Sequence, residues 1–564
     1  MHKAIPDIKD QYEKGKMTRR EFVRYATLLG MSLTAAEGLI AGCAPTPTEE
    51  VPTPTTAAVA PTATTAPAPT PVPAGPRRGG TLRVRGDVGR IDHPARFSWV
   101  ANSNTTRHVA EYLSLTDENN ITHPYLLESW EASEDLKTWT LNLRQGIKWN
   151  NGDDFVADDV VFTMEEWLDE EVGSSTLGLM SYLTTENIEK VGDHSITLHL
   201  DSPQIAVPEH LFHYANQIMN YRTFEGDFIQ APVGTGPYTL DEYSEGERVV
   251  LKAREDYWQT GADGQPLPYL DEMVYIDLGE EVSAWIAAFQ GGEIDAISEP
   301  QATVFLALKD DPNANIIGTP TGQTRVLRMR VDKEPWTDNN VRMALKLCQD
   351  HEKILAMAHF GEGAPGADFH VAPVHPEYCE RPIPPYDPDR ARSLLEEAGY
   401  GDGLTVEIAV ASDWTDVVSY AEILKEDAAP AGFDIQINTM PVSAYWDLWT
   451  ECDLGVTPWT HRPLGTMVLS LAYTCDAAGE PAPWNETRWC DDEFAALLRQ
   501  AEGTLDVEER REIMCQLEEI QYERGSIGIP YWQGIWMIAH KKVQNWKGHP
   551  TQYDLFNELW LEEA

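Results

Sequence analysis

The residues that could support catalysis in this chain do not have the spacing that known reaction types require. Gly361, Gly363 and Gly366 match the Gly-x-Gly-x-x-Gly pattern of a dinucleotide-binding turn. Such a turn follows a strand and opens a helix, whereas here a helix is predicted before it and Pro365 lies within it. No His-Glu-x-x-His, Gly-x-Ser-x-Gly or Walker sequence occurs. We therefore expect a protein that is not an enzyme and has no cofactor, with a hydrolase kept as the alternative.

Titratable residues give no clearer signal for catalysis or metal binding. The pairs Asp153–Asp154 and Asp158–Asp159 could transfer protons, but the chain has 91 acidic residues against 43 basic ones, so adjacent acids are expected. The second pair stands at the start of a predicted helix, where negative charge is favourable. His370 and His375 lie close together in a loop broken by proline, without the spacing of a metal site. We expect no metal.

The net charge limits the partners. With a net charge of −48, the chain is not expected to bind nucleic acid, because such binding depends on lysine and arginine. It is equally unsuited to a polybasic contact with membrane lipids. A solvated acidic surface is the simplest interpretation.

Two stretches near the N-terminus predict export and anchoring. Residues 18–24, with Arg19 and Arg20, resemble the twin-arginine export motif, and residues 40–43 resemble a bacterial lipobox ending in the acylated Cys43. The apolar run between them is too short and too polar for a spanning helix. We therefore expect a signal peptide over 1–42 and a lipid anchor at Cys43. A linker rich in Pro, Thr and Ala follows over 43–78; such composition cannot form a packed core.

The remaining cysteines can form disulfides, because six is an even number in an exported protein. The preferred pair is Cys475 with Cys490, which would close a short loop containing glycine and proline, and the second choice is Cys348 with Cys379. Unpaired buried thiols are the alternative. The six are Cys348, Cys379, Cys452, Cys475, Cys490 and Cys515.

The elements that must position these residues change in character along the chain. Roughly 490 residues follow the linker, too many for a single hydrophobic core, so two or more lobes are expected. Alternating apolar residues at 139, 141 and 143 predict a strand in the first part. After about residue 326, Asp338 can cap a helix running to Phe360. The order strand, helix, strand over residues 404–440 predicts two parallel strands joined by a right-handed crossover.

Several stretches, in this order and spacing, resemble one family of proteins. They include "GGTLRV", "APVGTGPYTLDEYSEGERVVLKAREDYW", "AWIAAFQGGEIDAI" and "DPDRARSLLEEAGY". The family is the family 5 extracellular solute-binding proteins, the dipeptide-, oligopeptide- and nickel-binding components of bacterial ABC importers, and the resemblance covers residues 79 to 564.

The resemblance implies an α/β fold, the two-lobe periplasmic-binding-protein fold, with hinge strands and ligand enclosed between the lobes. It places lobe I at 79–325 with a subdomain inserted at about 116–231, lobe II at 326–525, and a C-terminal return to lobe I at 526–564. It implies a monomer at the extracytoplasmic face of the membrane that delivers a small-molecule solute to permease and ATPase subunits. A structural surface lipoprotein is a further alternative, although it gives no reason for two lobes.

The resemblance also indicates the ligand site. In peptide-binding relatives a tryptophan-containing segment of lobe II carries an aspartate that pairs with the ligand's amine. The matching segment here keeps Trp459 but has His461, Arg462 and Pro463 where the acid would be. An arginine fork suits a carboxylate or phosphate, so an acidic peptide-like compound, an opine or a sugar is expected, with nickel as an alternative. The predicted ligand-binding residues are Trp459, His461, Arg462, Trp414, Trp99 and Trp532. The competing interpretations are that Arg462 pairs with an acid of the protein itself and that the tryptophans only pack.

Replacing the anchoring cysteine tests the N-terminal interpretation. The Cys43→Ser protein should still be exported but should no longer be held by the membrane, because the acylated side chain is lost. Fractionation of cells into membrane and soluble extracytoplasmic material measures this. Retention of the variant in the membrane fraction would contradict the lipid anchor.

Overall fold

The structure is a computed structural model that describes residues 75–476 and 478–562. The predicted features at Arg19, Arg20 and Cys43, and the linker up to residue 74, lie outside the described residues. Within the described part, none of the helices combines the length and the apolar character that a membrane crossing needs.

The described strands are numbered in chain order. They are β1 Thr81–Arg85, β2 Ser114–Thr116, β3 Thr122–Pro124, β4 Leu127–Ala132, β5 Thr138–Leu143, β6 Ile188–Gly192, β7 Ser195–His199, β8 Tyr238–Ser244, β9 Arg248–Ala253, β10 Glu272–Ile276, β11 Ala296–Ile297, β12 Ala314–Met329, β13 Gly363–Pro365, β14 Leu404–Ala411, β15 Phe433–Met440, β16 Leu454–Trp459, β17 Ile527–Gly528, β18 Tyr531–His540, β19 Val543–Gln544 and β20 Trp560–Leu561.

The described α-helices are numbered in the same way. They are α1 Val100–Thr106, α2 Ala157–Leu168, α3 Val207–His210, α4 Val282–Gln290, α5 Ala302–Leu308, α6 Asn339–Lys346, α7 His351–Ala358, α8 Pro388–Glu397, α9 Thr415–Ala428, α10 Val442–Leu448, α11 Gly465–Ala472, α12 Asp492–Glu502 and α13 Val507–Arg524.

One large sheet connects the two lobes. Its strand order is β15-β14-β16-β12-β18-β11-β1-β10-β9-β8. The long strands β12 and β18 pair in antiparallel register from Ala314↔His540 to Thr324↔Trp532, with an irregularity between Pro320 and Thr324. The strands of lobe I therefore lie on one side of this pair and β14–β16 on the other. The irregularity marks where the backbone can bend between them.

Separate hydrophobic cores confirm the two-lobe architecture. Leu82 and Tyr275 pack with Met537 of β18 on the lobe I side, whereas Leu327 and Tyr531 belong to a lobe II cluster. A further cluster takes its members mostly from residues 113–218, around a four-stranded sheet β4-β5-β7-β6. These clusters lie in the predicted regions, while the domain boundaries themselves stay a prediction.

The parallel unit predicted over residues 404–440 is confirmed. β14 and β15 pair in parallel from Leu404↔Phe433 to Ala411↔Met440, and α9 connects them. The single helix predicted from Asp338 to Phe360 is wrong, because the structure divides it into α6 and α7. Asp350 starts the second helix: its side chain accepts a hydrogen bond from the backbone N–H of Lys353.

The disulfides agree with one predicted pair and not with the other. Cys475 is bonded to Cys490. Cys379 is bonded to Cys515 on α13, so the predicted pair Cys348–Cys379 is wrong. Cys348 is a buried free thiol in the lobe II core, where its Sγ donates to the carbonyl of Ala344.

The two disulfides should differ in their effect on stability. In the chain-entropy model, the bond spanning 136 residues stabilises by about 5 kcal/mol and the one spanning 15 residues by about 3 kcal/mol. Urea unfolding should therefore show a larger loss for the Cys379→Ala/Cys515→Ala variant than for the Cys475→Ala/Cys490→Ala variant. Peptide mapping without reduction should recover both bonds in the parent, and free thiols at these positions would contradict the pairing.

Candidate functional site

The sheet of lobe II places three predicted site residues at one edge. β14 runs parallel to β15 and also to β16, so their carboxyl ends lie together, and ligands of open α/β sheets bind at that edge. Trp459 ends β16, and the loop 460–464 that follows it leads into α11. We call residues 460–464 the Arg462 loop.

Trp459 is held rigidly by a buried acid. Its indole Nε1 donates to Glu486 at 3.0 Å, and Glu486 also accepts from the hydroxyl of Thr457 at 2.6 Å. Arg328 lies 3.3 Å from the same carboxylate. Burial raises the pKa of Glu486, while the positive charge of Arg328 opposes that shift. The ring of Trp459, which is 4% exposed, is thereby fixed in position immediately before the Arg462 loop.

His461 joins three parts of the chain. Its Nδ1 accepts from the backbone N–H of Gly322 at 2.9 Å, in the irregular part of β12. Its Nε2 lies 3.1 Å from Oδ1 of Asn120 in lobe I. These two partners define the neutral tautomer with the proton on Nε2. Burial, together with the nearby His375, His549 and Arg462, lowers the pKa of His461 well below its usual value.

Arg462 carries a charge that no acid within ion-pairing distance neutralises in the described part of the chain. Its Nη1 donates to the hydroxyl of Thr460 at 2.8 Å and to the carbonyl of His461 at 3.1 Å. Among residues 75–476 and 478–562, no carboxylate forms an ion pair with it within 4 Å. Burial lowers the pKa of Arg462, and the side chains that oppose this shift are Tyr214 and Tyr553. The described residues thus do not support pairing with the protein's own acids.

Lobe I supplies the groups opposite Arg462. Burial, with a smaller contribution from the charge of Arg462, lowers the pKa of His210 and of His213 to about 3. A second guanidinium, that of Arg107, lies 3.9 Å above the ring centre of Tyr553. Its Nε and Nη1 are buried without a hydrogen-bond partner in the described structure. Arg107 thus contacts Tyr553, a residue that also influences the pKa of Arg462.

The other predicted tryptophans separate into different environments. Trp414 contacts Trp446 at 5.4 Å between ring centres, and Trp532 is buried in β18 beside His370. Trp99 is 54% exposed immediately before α1, and its place in the site stays a prediction. An edge-to-face series, which we call the tryptophan array, connects Trp414 to Trp459 through Trp446, Trp449 and Trp484 at ring-centre distances of 5.4–5.8 Å.

Sequence reasoning missed Arg107, Asn120, Trp446 and Trp449. The two tryptophans are three residues apart just after β15, a spacing that places them on one helical face and could have been recognised. Arg107 and Asn120 meet their partners through contacts that are distant in sequence. His461, for example, is 341 residues from Asn120. No local pattern signals such a contact.

Neither of the two cavities described next is lined by a residue of the Arg462 loop. The larger one, about 360 Å³, is an open surface pocket of lobe I between residue 76, the 262–269 segment and β20. The smaller, about 10 Å³, has room for about one water and is lined by Arg85, Asn104, Glu299 and Asp554 among others. Burial raises the pKa of Glu299 to about 8 and that of Asp554 to about 7. In the described residues, no group of three or more His, Cys, Asp or Glu side chains is arranged to hold a metal ion.

Two lobes joined by paired long strands are the architecture of a periplasmic binding protein. The family described as "Bacterial extracellular solute-binding proteins, family 5 Middle" matches residues 122–478. The chain belongs to this family, whose members are extracytoplasmic solute-binding proteins of ABC transporters rather than enzymes.

Individual relatives agree with this assignment. The chain is 26% identical over 480 residues to the di/tripeptide-binding protein 1 of Pseudomonas aeruginosa, covering 77% of this chain and 85% of the relative. It is 25% identical over 478 residues to the dipeptide-binding protein of Escherichia coli, covering 78% and 86%. The structure of HbpA2 from Haemophilus parasuis has the same fold, with a TM-score of 0.74 and 23% identity, over 86% of this chain and all of that one.

Proposed function

We propose that this protein captures, between its lobes, a small organic solute carrying a carboxylate, phosphate or polyhydroxyl group, and delivers it to the permease and ATPase subunits of an ABC importer. Arg462 is the residue that binds this group. The names of the relatives support a peptide-like solute, and the site favours one with an acidic end. The lobes close around the solute because closure adds contacts from the second lobe.

The observation that carries this proposal is the unpaired guanidinium of Arg462. Arg462 is half-buried, and a cation partly withdrawn from water without a counterion is destabilised; a solute anion would offset that cost. The aspartate of the peptide-binding relatives attracts an ammonium group, whereas arginine can only donate hydrogen bonds. Arg107 adds a second positive group on the lobe I side of Tyr553. The same arrangement suits a solute with two anionic groups.

The tryptophan array favours a second candidate, a sugar-like solute such as an opine or oligosaccharide. Trp446 and Trp484 are 42% and 44% exposed, which is unusual for side chains of this size. Aromatic rings offer flat apolar walls to a solute. The array continues from Trp459, so a long solute could extend from Arg462 along these rings. Trp414 and Trp459, which belong to the array, are proposed as lining residues on the same basis, and His461 is proposed because it lies next to Arg462.

The proposal includes the location of the protein. Export through the twin-arginine residues Arg19 and Arg20, and a lipid on Cys43, would hold the binding lobes at the extracytoplasmic face of the membrane. A Pro-rich linker at about 3.1 Å per residue would give them reach toward a permease. We propose a monomer, since one chain supplies both lobes.

Mass spectrometry of the small molecules that copurify with the protein identifies the solute. We expect an anionic or polyhydroxylated compound. A copurifying solute whose only charged group is an ammonium would contradict the role of Arg462.

Removing the guanidinium should then weaken binding of that identified solute. Arg462→Ala should cost about 2–5 kcal/mol of binding free energy, as expected when one partner of a buried charge pair is lost. The thermal midpoint of the ligand-free protein should change little, because the side chain of Arg462 bonds only within its own loop. Isothermal titration calorimetry measures the first quantity and calorimetric melting the second.

A matched control is Arg390→Ala, which removes an exposed arginine of lobe II whose nearest acid is Glu397 at 3.4 Å. This variant should bind the solute as the parent does. Unchanged affinity in Arg462→Ala, together with a destabilised ligand-free protein, would show that Arg462 is structural. Ordinary peptides would then be the leading candidate for the solute.

A further inference from the structure

Asn120 is a lobe I residue whose side chain is enclosed by lobe II. It lies at the tip of the β2–β3 hairpin with φ = 62° and is 2% exposed. Its Nδ2 donates to the carbonyl of Pro463 at 2.7 Å and to that of Val374 at 3.1 Å. Its Oδ1 faces Nε2 of His461 at 3.1 Å. Every polar atom of this side chain is therefore used across the lobe junction.

The hairpin presents Asn120 in a fixed geometry. Asp117 accepts hydrogen bonds from the backbone N–H groups of Asn119 at 2.8 Å and Ile121 at 3.0 Å. The left-handed backbone of residue 120 suits asparagine better than most residues. The amide side chain thus reaches lobe II from a rigid turn, as a positioning group requires.

The contacts of Asn120 end on the loop that carries Arg462. The carbonyl of Pro463 is bonded by Asn120, and the carbonyl of Arg462 lies 3.0 Å from Nε2 of His375. His461 ties the same loop to Gly322 in the irregular part of β12. A Cβ on Gly322 would lie 3.0 Å from His375 and 3.1 Å from His461. The Arg462 loop, β12 and the β2–β3 hairpin of lobe I therefore meet around His461.

We propose that Asn120 and His461 form a latch that holds the lobes together, positions the Arg462 loop, and opens when His461 becomes protonated. The part that concerns Arg462 rests on the proposed function, whereas the effect on lobe closure does not.

Protonation would weaken the latch at its Gly322 side for a geometric reason, although Nε2 could still donate to Asn120. In the neutral ring, Nδ1 accepts from Gly322 and Nε2 donates to Asn120. A proton added to Nδ1 would point at the N–H of Gly322, so that hydrogen bond could not exist. The neighbouring groups oppose the added charge as well. They are Arg462 on the same loop, His375 with its ring centre 6.1 Å away, and His549 from the C-terminal segment. The facing groups of lobe I and β12, Asn120 and the N–H of Gly322, are neutral.

The direction of the pH effect follows from linkage. The closed form holds the pKa of His461 well below 6.5, whereas in the open form of this proposal the ring leaves both Asn120 and Gly322 and regains water at both nitrogens. The closed form therefore binds fewer protons, and closure is favoured above about pH 6.5 and weakens as pH falls. If the open form titrates near 6.5, the ratio of closed to open molecules falls about thirtyfold between pH 7.5 and pH 5.0.

Electron-spin distance measurements on the ligand-free protein test the latch without knowledge of the solute. Labels attached through non-natural amino acids at Val191 and Met357, which are 61% and 59% exposed, report the separation of the lobes. In the parent, the short-distance population should fall strongly from pH 7.5 to pH 5.0. A population that does not change with pH would overturn the proposal.

Two variants separate the latch from a general structural role. His461→Gln keeps a nitrogen donor toward Asn120 but cannot titrate, so its closed population should stay constant over the same pH range. Asn120→Ala should lower the closed population already at pH 7.5. If Asn120→Ala does not fold, Asn120→Asp serves instead, because it keeps the size but places carboxylate oxygens against two carbonyls.

The matched controls lie on the same hairpin. Asn119→Ala changes an exposed asparagine next to Asn120, and His123→Gln removes a histidine that is 52% exposed and pairs with Asp117. Both should keep the pH response of the parent. Equal closed populations in Asn120→Ala and Asn119→Ala, or a His461→Gln protein with the pH response of the parent, would overturn the latch. If Asn120→Ala loses solute affinity but keeps the closed population of the parent, the latch is contradicted, and the loss of affinity reports only on the position of Arg462.

Discussion

The pairing of β12 with β18 is the constraint on which the rest of the structure depends. These two strands run through both lobes and pair over most of their length, so the other strands of the large sheet are attached to one backbone ladder, directly or through a neighbour. The hydrophobic cores divide along the pair. The ladder is irregular between Pro320 and Thr324, where the two halves meet. A relative movement of the lobes must be absorbed there, since packed cores do not deform continuously.

The placement of charge at this junction is consistent with capture of an anion. The chain as a whole is strongly acidic, and most of its arginines in the described structure are paired with acids at the surface or in buried bridges such as Arg328–Glu486. Arg462 belongs to the minority without an acid partner among the described residues, as do Arg107, Arg342 and Arg510, and its side chain bonds a hydroxyl and a carbonyl. Under the proposed function, a solute anion at the lobe junction would supply the counterion of Arg462. The acidic exterior would slow the encounter with an anion, an effect that depends on ionic strength.

Much of the fold could be predicted from the sequence, because its signals are local. Alternating residues at Trp139, Leu141 and Leu143 mark β5, and the order strand, helix, strand over 404–440 gave the parallel pair β14 and β15. The Cys475–Cys490 pair was favoured because its loop is short. The wrong pair, Cys348–Cys379, involved residues whose true environments depend on tertiary packing: α13 brings Cys515 to Cys379, and the core encloses Cys348.

In the candidate site, too, local sequence signals could be recognised and long-range contacts could not. Trp459, His461 and Arg462 stand next to one another in the sequence and were identified together. Asn120 and Arg107 could not be, because their partners are hundreds of residues away or lie in the C-terminal segment. The single helix predicted from Asp338 to Phe360 is wrong for a local reason. The apolar periodicity continues across the break, but the side chain of Asp350 caps a new helix at that point.

Small-angle X-ray scattering of the protein, first stripped of its copurified solute and then reloaded with it, tests the central claim most directly. At pH 5.0, where the latch of the solute-free protein is open, the account predicts a smaller radius of gyration in the loaded protein, because the lobes close over the solute, and recovery of the solute chemically unchanged after prolonged incubation. An unchanged radius of gyration on loading, or conversion of the solute to a product, would contradict a solute-binding protein that works by lobe closure.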